Sequence, residues 1–450
     1  MRYNTFTSPG CVLLWAVLLS AGCGESGGPL KVHPTNPRYF SDVAGEIVYL
    51  TGSHNWYNFQ DRGFGVLEEV GFENYLDFLK KYGHNFARIW AWENAAWTPG
   101  TVDTIRIAPL PYRRTGPGIA RDGLPKFDLT KFNPDYFRRL RSRIIAAGDR
   151  GVYTMVMLFE GWSIEKKRRQ VGNPWNGHPF HRDNNLNGID GDRDGDSEGH
   201  EVHTLVVPAV TELQEAYVIK VIDTLNDLDN VLFEISNESH GESIPWHYHM
   251  IDFIHEYESS QPKQHPVVMT VPWPDGDNAT LFASPAEAIS PNSGVDGTLR
   301  KAFPPADGRK VVILDTDHLW GLGGNEKWVW MAFTRGYNPI FMDTMEEVFG
   351  ANNWDVFPGG PEVAEAMRTS MGQTREFAER MNLTTTIPRG DLASSGYCLA
   401  DPEIGEYLAY LPEGGTVVVN LRETHGPLVT EWFNPGSGET IRGAEVSGGG

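Results

Sequence analysis

The sequence predicts an α/β protein in which a (β/α)8 TIM barrel is followed by a small antiparallel β-sandwich-like domain. Eight short apolar segments alternate with segments of helical periodicity, which is the pattern of a parallel sheet wrapped by helices. The apolar segments also share polar or aromatic residues at their carboxyl ends. After about residue 385 the helical pattern stops, and short strands separated by turn sequences such as PEGG and NPGSG follow.

Each predicted barrel strand is a short run of aliphatic, β-branched or aromatic residues. The strands are predicted at residues 46–50, 85–90, 152–159, 231–235, 265–271, 286–290, 310–314 and 339–342. Amphipathic segments predict helices at residues 72–82, 136–147, 211–228, 246–259, 326–335 and 361–382. The C-terminal strands are predicted at residues 406–410, 415–420 and 428–433. In parallel barrels the residues that do chemistry lie at the carboxyl ends of the strands.

The composition narrows the classes of ligand. The formal net charge is −21, from 38 basic and 59 acidic residues, which disfavours binding to nucleic acid or to an anionic membrane surface. The chain also contains 14 tryptophans and 16 tyrosines, whose flat faces suit sugar rings when they line a cleft. Its 450 residues are enough for one large and one small domain.

The first 22 residues have the pattern of an export signal. Arg2 precedes an apolar run at residues 11–19 that is too short to span a membrane, and small residues lead up to Cys23. The segment resembles a bacterial lipoprotein signal, which implies lipidation of Cys23, although Ser20 stands where leucine is usual. We therefore expect export to the cell envelope, a lipid anchor and a tether over residues 23–38. Three cysteines make no disulfide framework, and Cys398 is expected to be a small buried residue.

The strongest candidates for catalysis follow the fourth and seventh strands. The apolar run at residues 231–235 ends in Asn237 and Glu238, where a carboxylate is either catalytic or a cap on the next helix. The seventh strand runs into Asp315 and Asp317, which share one face of an extended chain. Both can point into the barrel mouth, and Asp317 is preferred because it is nearer the end of the strand. The alternative is that these aspartates cap a loop or bind a structural cation.

Asn237-Glu238 and Arg88 together resemble the signature of clan A glycoside hydrolases, the cellulase-like barrels. The resemblance implies that Glu238 is the general acid/base, that Asn237 contacts the sugar 2-hydroxyl, and that Arg88 orients the nucleophile. That clan normally has a glutamate nucleophile at the seventh strand end, where this chain has Asp315 and Asp317. The implied reaction is retaining, whereas carboxyl groups set further apart, with a water between them, favour inversion.

A closer resemblance is to a bacterial group of glycosidase-like proteins that join such a barrel to a C-terminal β domain labelled as collagen-binding. It rests on EYLAYLPEGGTVVVNL at residues 406–421 and WFNPGSGE at residues 432–439, and it covers about residues 30–439. It implies a catalytic domain at residues 39–385 and a C-terminal β domain at residues 386–450.

Residues at the other predicted strand ends are candidates for contact with a saccharide substrate. Glu93 and Glu160 are further carboxylates that could take over the role given to the aspartates. Several tryptophans at one rim are typical of a carbohydrate cleft, although each one alone is more often a packing residue. The candidates are His54, Trp56, Trp92, Glu93, Glu160, Trp162, His240, Trp273, His318, Trp320 and Asp343.

An acidic insertion at residues 181–201 suggests a structural calcium ion. Asp183, Asn185 and Asn187, followed by Gly188, match the D-x-N-x-N-G start of a calcium loop. The glutamate of the twelfth position is missing, and the alternative is a solvated acidic loop. Further ligands of the calcium ion are expected among Asp190, Asp192 and Asp194. No cofactor is expected for catalysis.

These features predict an exported glycoside hydrolase that cleaves a poly- or oligosaccharide with paired carboxyl groups. A non-catalytic carbohydrate- or matrix-binding barrel is the alternative, because the seventh strand end departs from the clan pattern. A metal-dependent hydrolase ranks last, since the chain has no HxH or HExxH spacing.

Overall fold

The computed structural model describes residues 27–64, 66–99, 104–167, 171–292, 307–319, 323–349 and 359–449. Its centre is one sheet of eight parallel strands in which the second to the eighth strand pair in chain order, and the eighth also pairs with the first. The Asn85 N–H donates to the Thr51 carbonyl oxygen at 3.1 Å and joins the amino ends of the first two strands. The predicted (β/α)8 barrel is therefore confirmed. The strands are β1 (Gly52–His54), β2 (Phe86–Ile89), β3 (Tyr153–Glu160), β4 (Val231–Asn237), β5 (Val267–Thr270), β6 (Ala288–Ser290), β7 (Val311–Asp315) and β8 (Asn338–Met342).

Helices surround the barrel and bury their apolar faces against the strands. Side chains such as Ile144, Val221 and Ile251 belong to one continuous buried layer between helices and sheet. In the part of the chain that the structure describes, no helix is long and apolar enough to cross a membrane. The helices are α1 (Phe72–Lys81), α2 (Pro134–Gly148), α3 (Pro208–Leu225), α4 (Ile244–Ser259), α5 (Asn278–Ala283), α6 (Glu326–Phe333), α7 (Glu346–Phe349) and α8 (Gly360–Arg380). Short 3-10 turns lie at Gly161–Ser163, Pro174–Gly177, His200–His203, Gly241–Ser243, Thr316–His318 and Gly390–Leu392.

The amino end of the barrel is closed by the segment that precedes β1. Leu30 and Phe40 are buried against inward-facing residues near the strand starts, including Phe86 and Leu232. The chain around them forms a small antiparallel sheet with strands at Lys31–Val32, Phe40–Ser41 and Ile47–Val48. The barrel therefore has a floor and a single open mouth at the carboxyl ends of its strands.

The position of the first barrel strand was predicted wrongly. Residues 46–50 contribute to the floor sheet, and the barrel strand begins two residues later, at Gly52. A Cβ atom at Gly52 would lie 2.0 Å from the carbonyl oxygen of Phe86, so only glycine allows β1 to approach β2 this closely. Tyr49, which we took for a strand residue, instead packs edge-on against Phe333 at 5.1 Å.

Two small antiparallel sheets, built from segments between β1 and α2, were not predicted. One pairs Tyr112–Ile119 with Pro125–Phe132, and we call it the basic hairpin (residues 112–132) because of its charge. The other joins Asp61–Phe64, Ile105–Ala108 and Ala96–Trp97. Trp97 and Ile107 of this second sheet pack with Trp90 and Trp92, so it covers one side of the mouth.

The C-terminal region is an antiparallel β structure packed on the barrel helices. Tyr410 and Phe433 contact Trp330 of α6, at centroid distances of 5.8 and 5.7 Å. Cys398 is buried and free, as expected. The type of domain, including its collagen-binding label, stays a prediction. The strands are Ile387–Pro388, Cys398–Asp401 and Glu406–Ala409 in one sheet, Pro427–Leu428 with Val446–Ser447, and Glu431–Asn434 with Glu439–Arg442.

Two of the three predicted C-terminal strands differ from the structure. Residues 415–420 form only a single bridge, between Val419 and Ala393, and Val418 is 70% exposed. The valines there do not all face a core, which removes the packing that would stabilise a strand. Residues 428–433 divide between two separate pairs of strands.

Candidate active site

Arg88 lies at the centre of the barrel mouth and is 1% exposed. Its guanidinium donates to both carboxylate oxygens of Glu234 on β4, at 2.7 and 2.5 Å, and to Oδ1 of Asn237 at 2.8 Å. Thr270 Oγ1 on β5 donates to the same glutamate at 2.6 Å. The sequence analysis missed Glu234, although a buried arginine inside a strand requires a buried carboxylate nearby.

Asp315 and Asp317 lie beside Arg88, as predicted. Arg88 NH1 is 3.2 Å from Oδ2 of Asp315 and 3.4 Å from Oδ2 of Asp317. His54 Nε2 approaches the Asp315 carboxylate at 3.0 Å, and the Asp317 N–H donates to Asp315 Oδ1 at 3.0 Å. Protein groups therefore hold both oxygens of Asp315, whereas the Asp317 carboxyl group has Arg88 as its neighbour.

The two aspartates have opposite protonation preferences. Burial by itself would raise the pKa of Asp315, but His54 and Arg88 hold that pKa well below its usual range. The pKa of Asp317 is raised well above its usual range, because of its burial and the negative charges of Glu238 and Asp315. These surroundings favour the ionised form of Asp315 and the protonated form of Asp317.

Glu238 is half-buried and has a strained backbone. Its φ of 42° lies in the left-handed region, which is unusual for a glutamate and often marks functional positions. The Trp162 indole N–H donates to the Glu238 carboxylate, and Lys167 Nζ donates to the Glu238 carbonyl oxygen at 2.5 Å. A Cβ atom at Gly161 would lie 2.3 Å from that carbonyl oxygen, so this close approach requires glycine. Lys167 had no signal in the sequence.

Glu160 ends β3 directly beside Asn237. Its Oε1 accepts hydrogen bonds from the Trp162 N–H at 3.2 Å and from Asn237 Nδ2 at 3.1 Å. Its Oε2 is buried and has no hydrogen-bond partner among the described residues. Burial, together with the negative charge of Glu238, raises the pKa of Glu160 to about 8. The group is therefore mostly a neutral carboxylic acid at pH 7.

The surroundings of Glu93 favour its ionised form, in contrast to those of Glu160. Its Oε1 accepts from the Glu160 N–H at 2.7 Å and lies 3.0 Å from His203 Nε2, while His178 is 3.4 Å from Oε2. Burial opposes ionisation, but the two histidines outweigh it and lower the pKa of Glu93 to about 2. His203 Nδ1 in turn contacts Ser239 Oγ at 3.1 Å. Glu93 is thus committed to holding the loop after Glu238, which argues against its predicted substrate or nucleophile role.

The tryptophans of the mouth divide into packing and exposed groups. Trp92 is buried, and its indole N–H donates to the Trp56 carbonyl oxygen at 2.8 Å. Trp56, Trp162 and Trp273 are half-buried and remain candidates for sugar contact. Lys167 Nζ lies over the Trp273 ring at 5.2 Å. Trp320, like Cys23, lies outside the described residues.

Three further candidates are engaged by the protein itself. His240 Nε2 contacts the carbonyl oxygen of His200 at 2.9 Å, and His318 Nδ1 is 3.5 Å from Ser290 Oγ. Asp343 is fully buried, and its two oxygens accept from Arg368 of α8 at 2.7 and 2.8 Å. The structure therefore gives Asp343 the role of a structural ion pair, in place of the predicted substrate contact.

The predicted calcium ligands do not converge. The side-chain amide of Asn185 donates to three backbone carbonyl oxygens, and its Oδ1 accepts the N–H groups of Asn187 and Ile189. Asn187 Oδ1 accepts from the Leu129 N–H at 2.8 Å. These asparagines fold the loop, so their oxygens are already used. Asp183 pairs instead with Arg121.

The remaining predicted ligands lie in a different group of acidic residues. Asp190 is 3.8 Å from Arg182. Asp192 and Asp194 lie with Glu201, with carboxylate oxygens within 4.8 Å of one another. Calcium binding by the insertion stays a prediction, with these three carboxylates as its best-placed ligands among the described residues.

The comparisons with known proteins agree with the barrel fold. Residues 74–281 match a family model described as "Domain of unknown function (DUF6298)". No curated protein matches the chain. Among solved structures, it is similar to a glycoside hydrolase family 5 protein from Bacteroides vulgatus, with 13% identity over 94% of this chain and 88% of that chain, at a TM-score of 0.58. It is also similar to an endo-1,4-beta-mannanase from Rhizomucor miehei, with 12% identity over 79% of this chain and 98% of that chain, at a TM-score of 0.47. At 13% identity the likeness to the Bacteroides vulgatus protein is one of fold: the chain shares its TIM-barrel architecture.

Proposed function

We propose that the protein is a glycoside hydrolase in which Glu238 and Asp317 form the catalytic pair of carboxyl groups. The observation that carries the proposal is the position of Arg88, whose guanidinium contacts Asp317 and also Asn237, the residue before Glu238. One buried cation thus fixes the ends of β4 and β7 relative to each other. The negative charge of Glu238 also raises the pKa of Asp317, which shows that the two carboxyl groups interact electrostatically.

Such a pair suits the chemistry of glycoside cleavage. The oxocarbenium-like transition state needs a proton for the leaving oxygen and a carboxylate near the anomeric carbon. Two interacting carboxyl groups that share one proton provide both. Asp315 fits the nucleophile role less well, because His54, Arg88 and the Asp317 N–H occupy its oxygens.

The location of the proton decides between the two stereochemical outcomes. Burial and the charges of Glu238 and Asp315 raise the pKa of Asp317, which favours a proton on this group. A retaining reaction needs Glu238 as the acid and Asp317 as the attacking carboxylate. An inverting reaction needs Asp317 as the proton donor and Glu238 as the base that activates a water.

The test is activity of variants on a panel of neutral and acidic glycans. We expect Glu238→Gln and Asp317→Asn each to lower kcat by about 10²–10⁴, because each removes a proton-transfer group. Glu242→Gln, an exposed carboxylate four residues from Glu238, is the matched control and should retain the wild-type rate. The anomer first released, followed by NMR, separates retention from inversion. Wild-type turnover by Glu238→Gln would refute the assignment.

A non-catalytic carbohydrate-binding barrel is the second candidate. It is favoured by the seventh strand end, where protein groups hold both oxygens of Asp315 and the raised pKa of Asp317 disfavours its ionised form. This function predicts that the wild-type protein binds oligosaccharides without releasing product from any of them. Measurable turnover that depends on Glu238 excludes it.

A further inference from the structure

We propose that a groove beside the basic hairpin binds an anionic segment of a saccharide, through carboxylate or sulfate groups on its sugar rings. The groove has a volume of about 520 Å³, within the range of about 300–1,000 Å³ that is common for ligand sites. The basic hairpin, the strand Ile105–Ala108 and the start of α2 form its walls. Nothing in the proposed catalytic chemistry uses this groove.

Three arginines line the groove, and one of them, Arg114, is paired with a carboxylate. Arg114 pairs with Asp122 through both terminal nitrogens. Both terminal nitrogens of Arg106 bind only the backbone carbonyl oxygen of Asp122, at 3.1 Å each. Arg113 is exposed, and its Nε donates to the Phe132 carbonyl oxygen at 3.2 Å. Over the described residues, Asp122 is the only acidic side chain that forms an ion pair with any of the three, which leaves two guanidinium charges uncompensated.

The basic hairpin carries a net positive charge, whereas the whole chain carries a net negative charge. The basic hairpin contains five basic and two acidic residues, a net charge of +3, in a protein with a formal net charge of −21. Asp135 at the edge of the groove pairs with Arg138, so its charge is also compensated. A cationic groove on an acidic protein attracts anions locally, while the rest of the surface repels highly charged polymers such as nucleic acid. This favours a ligand with isolated anionic groups.

The walls between the arginines are apolar. Leu67 and Leu124 at the rim are 41% and 42% exposed, and Phe127 lies under the Arg114 guanidinium at 3.9 Å. Tyr112 contributes a further aromatic wall. Apolar surface next to fork-shaped cations suits a ring that has C–H faces and a carboxylate or sulfate, since arginine binds such groups through two parallel hydrogen bonds.

The strand Ile105–Ala108 lies between the groove and the barrel mouth. Ile105 and Ile107 are buried in the tryptophan cluster of the mouth, and Arg106, Ala108 and part of Ile107 line the groove. A saccharide held in the groove therefore lies on the other side of the strand that covers the mouth. The binding proposal holds whether or not the protein hydrolyses that saccharide.

Binding is measured by calorimetry on the full-length Glu238→Gln protein, so that no probe is cleaved. The probes are a galacturonic acid hexamer for carboxylate, a sulfated maltohexaose for sulfate, and neutral maltohexaose. We expect at least one anionic hexamer to bind more weakly, by about tenfold, to Arg113→Ala, as loss of one charge-assisted hydrogen bond of ~1.4 kcal/mol implies. Whichever anionic probe binds more tightly identifies the anionic group.

Arg182→Ala is the matched control, since Arg182 is exposed and does not line the groove. It should leave the affinity unchanged. The proposal is refuted if neither anionic hexamer binds, or if Arg113→Ala binds both as tightly as the parent does. Equal losses of affinity in Arg113→Ala and Arg182→Ala would also refute the proposal, because they would indicate that the overall charge of the protein, and not the groove, attracts the anionic hexamer. Hydrolysis is assayed separately with wild-type protein, so failure here leaves the catalytic proposal standing.

Discussion

The buried carboxyl group of Glu160 makes the free energy of unfolding depend on pH, because burial raises the pKa of this group in the folded protein. Its pKa is about 8 in the folded protein, against an ordinary value of 4.5. Between these two values the folded protein holds a proton that the unfolded chain has lost. Stability therefore falls as pH rises through this window, because the folded state binds more protons than the unfolded state.

Glutamine in place of Glu160 has nearly the same shape as the protonated group and does not titrate. Its Oε1 can still accept from the Trp162 N–H and the Asn237 amide. At ~1.4 kcal/mol for each pH unit, the whole window corresponds to on the order of 5 kcal/mol. We expect Glu160→Gln and the wild type to differ by less than about 1 kcal/mol at pH 5, and the variant to be more stable by on the order of 4 kcal/mol at pH 8.

The assay is urea unfolding at pH 5, 6, 7 and 8, followed by tryptophan fluorescence. Contributions from the other titrating groups are common to both proteins and cancel in the difference. Glu362→Gln, an exposed carboxylate on α8, is the control and should track the wild type at every pH. If Glu160→Gln also tracks the wild type, or loses stability relative to it as pH rises, the folded protein does not hold Glu160 in its neutral form.

The remaining predictions concern two other buried acidic groups. His203→Ala removes a partner of Glu93, whose contribution is present above pH 4.5 and lost as pH falls towards about 2. It should cost about 3 kcal/mol in urea unfolding at pH 7 and less near pH 3, and an equal loss at both pH values would contradict this. Asp343→Ala should cost about 3–5 kcal/mol because Arg368 loses its buried partner and keeps only the more exposed Glu347 and Glu365, while Asp343→Leu with Arg368→Met should recover most of the loss. Glycan cleavage per folded molecule should be unchanged in both the single and the double variant. Loss of turnover without loss of stability would instead indicate that Asp343 contacts the substrate.

The barrel and the centre of its mouth could be predicted because both follow from local patterns. An apolar run that ends in a carboxylate marks a barrel strand and its functional end together, which is how Glu238 and Asp317 were found. Arg88 was singled out by the resemblance to clan A glycoside hydrolases, together with Asn237 and Glu238. These residues meet because parallel strands bring their carboxyl ends to one rim.

The partners of these residues could not be predicted, because they come from distant parts of the chain. Glu234 is 146 residues from Arg88, and His203 is 110 residues from Glu93. Lys167 and the basic hairpin lie in connections whose length the barrel pattern does not limit. The roles of Asn185 and Asn187 could not be predicted for another reason, since their oxygens accept backbone N–H groups and fold the loop. Calcium binding by the insertion stays a prediction.

The floor of the barrel also fixes which way the protein faces when it is held. Leu30 and Phe40 pack at the amino ends of the strands, whereas Glu238 and Asp317 lie at the opposite ends. We propose that the lipid anchor predicted at Cys23, which precedes Leu30 in the chain, would hold the protein by this closed end. The open end would then face away from the membrane, where a glycan chain could reach it.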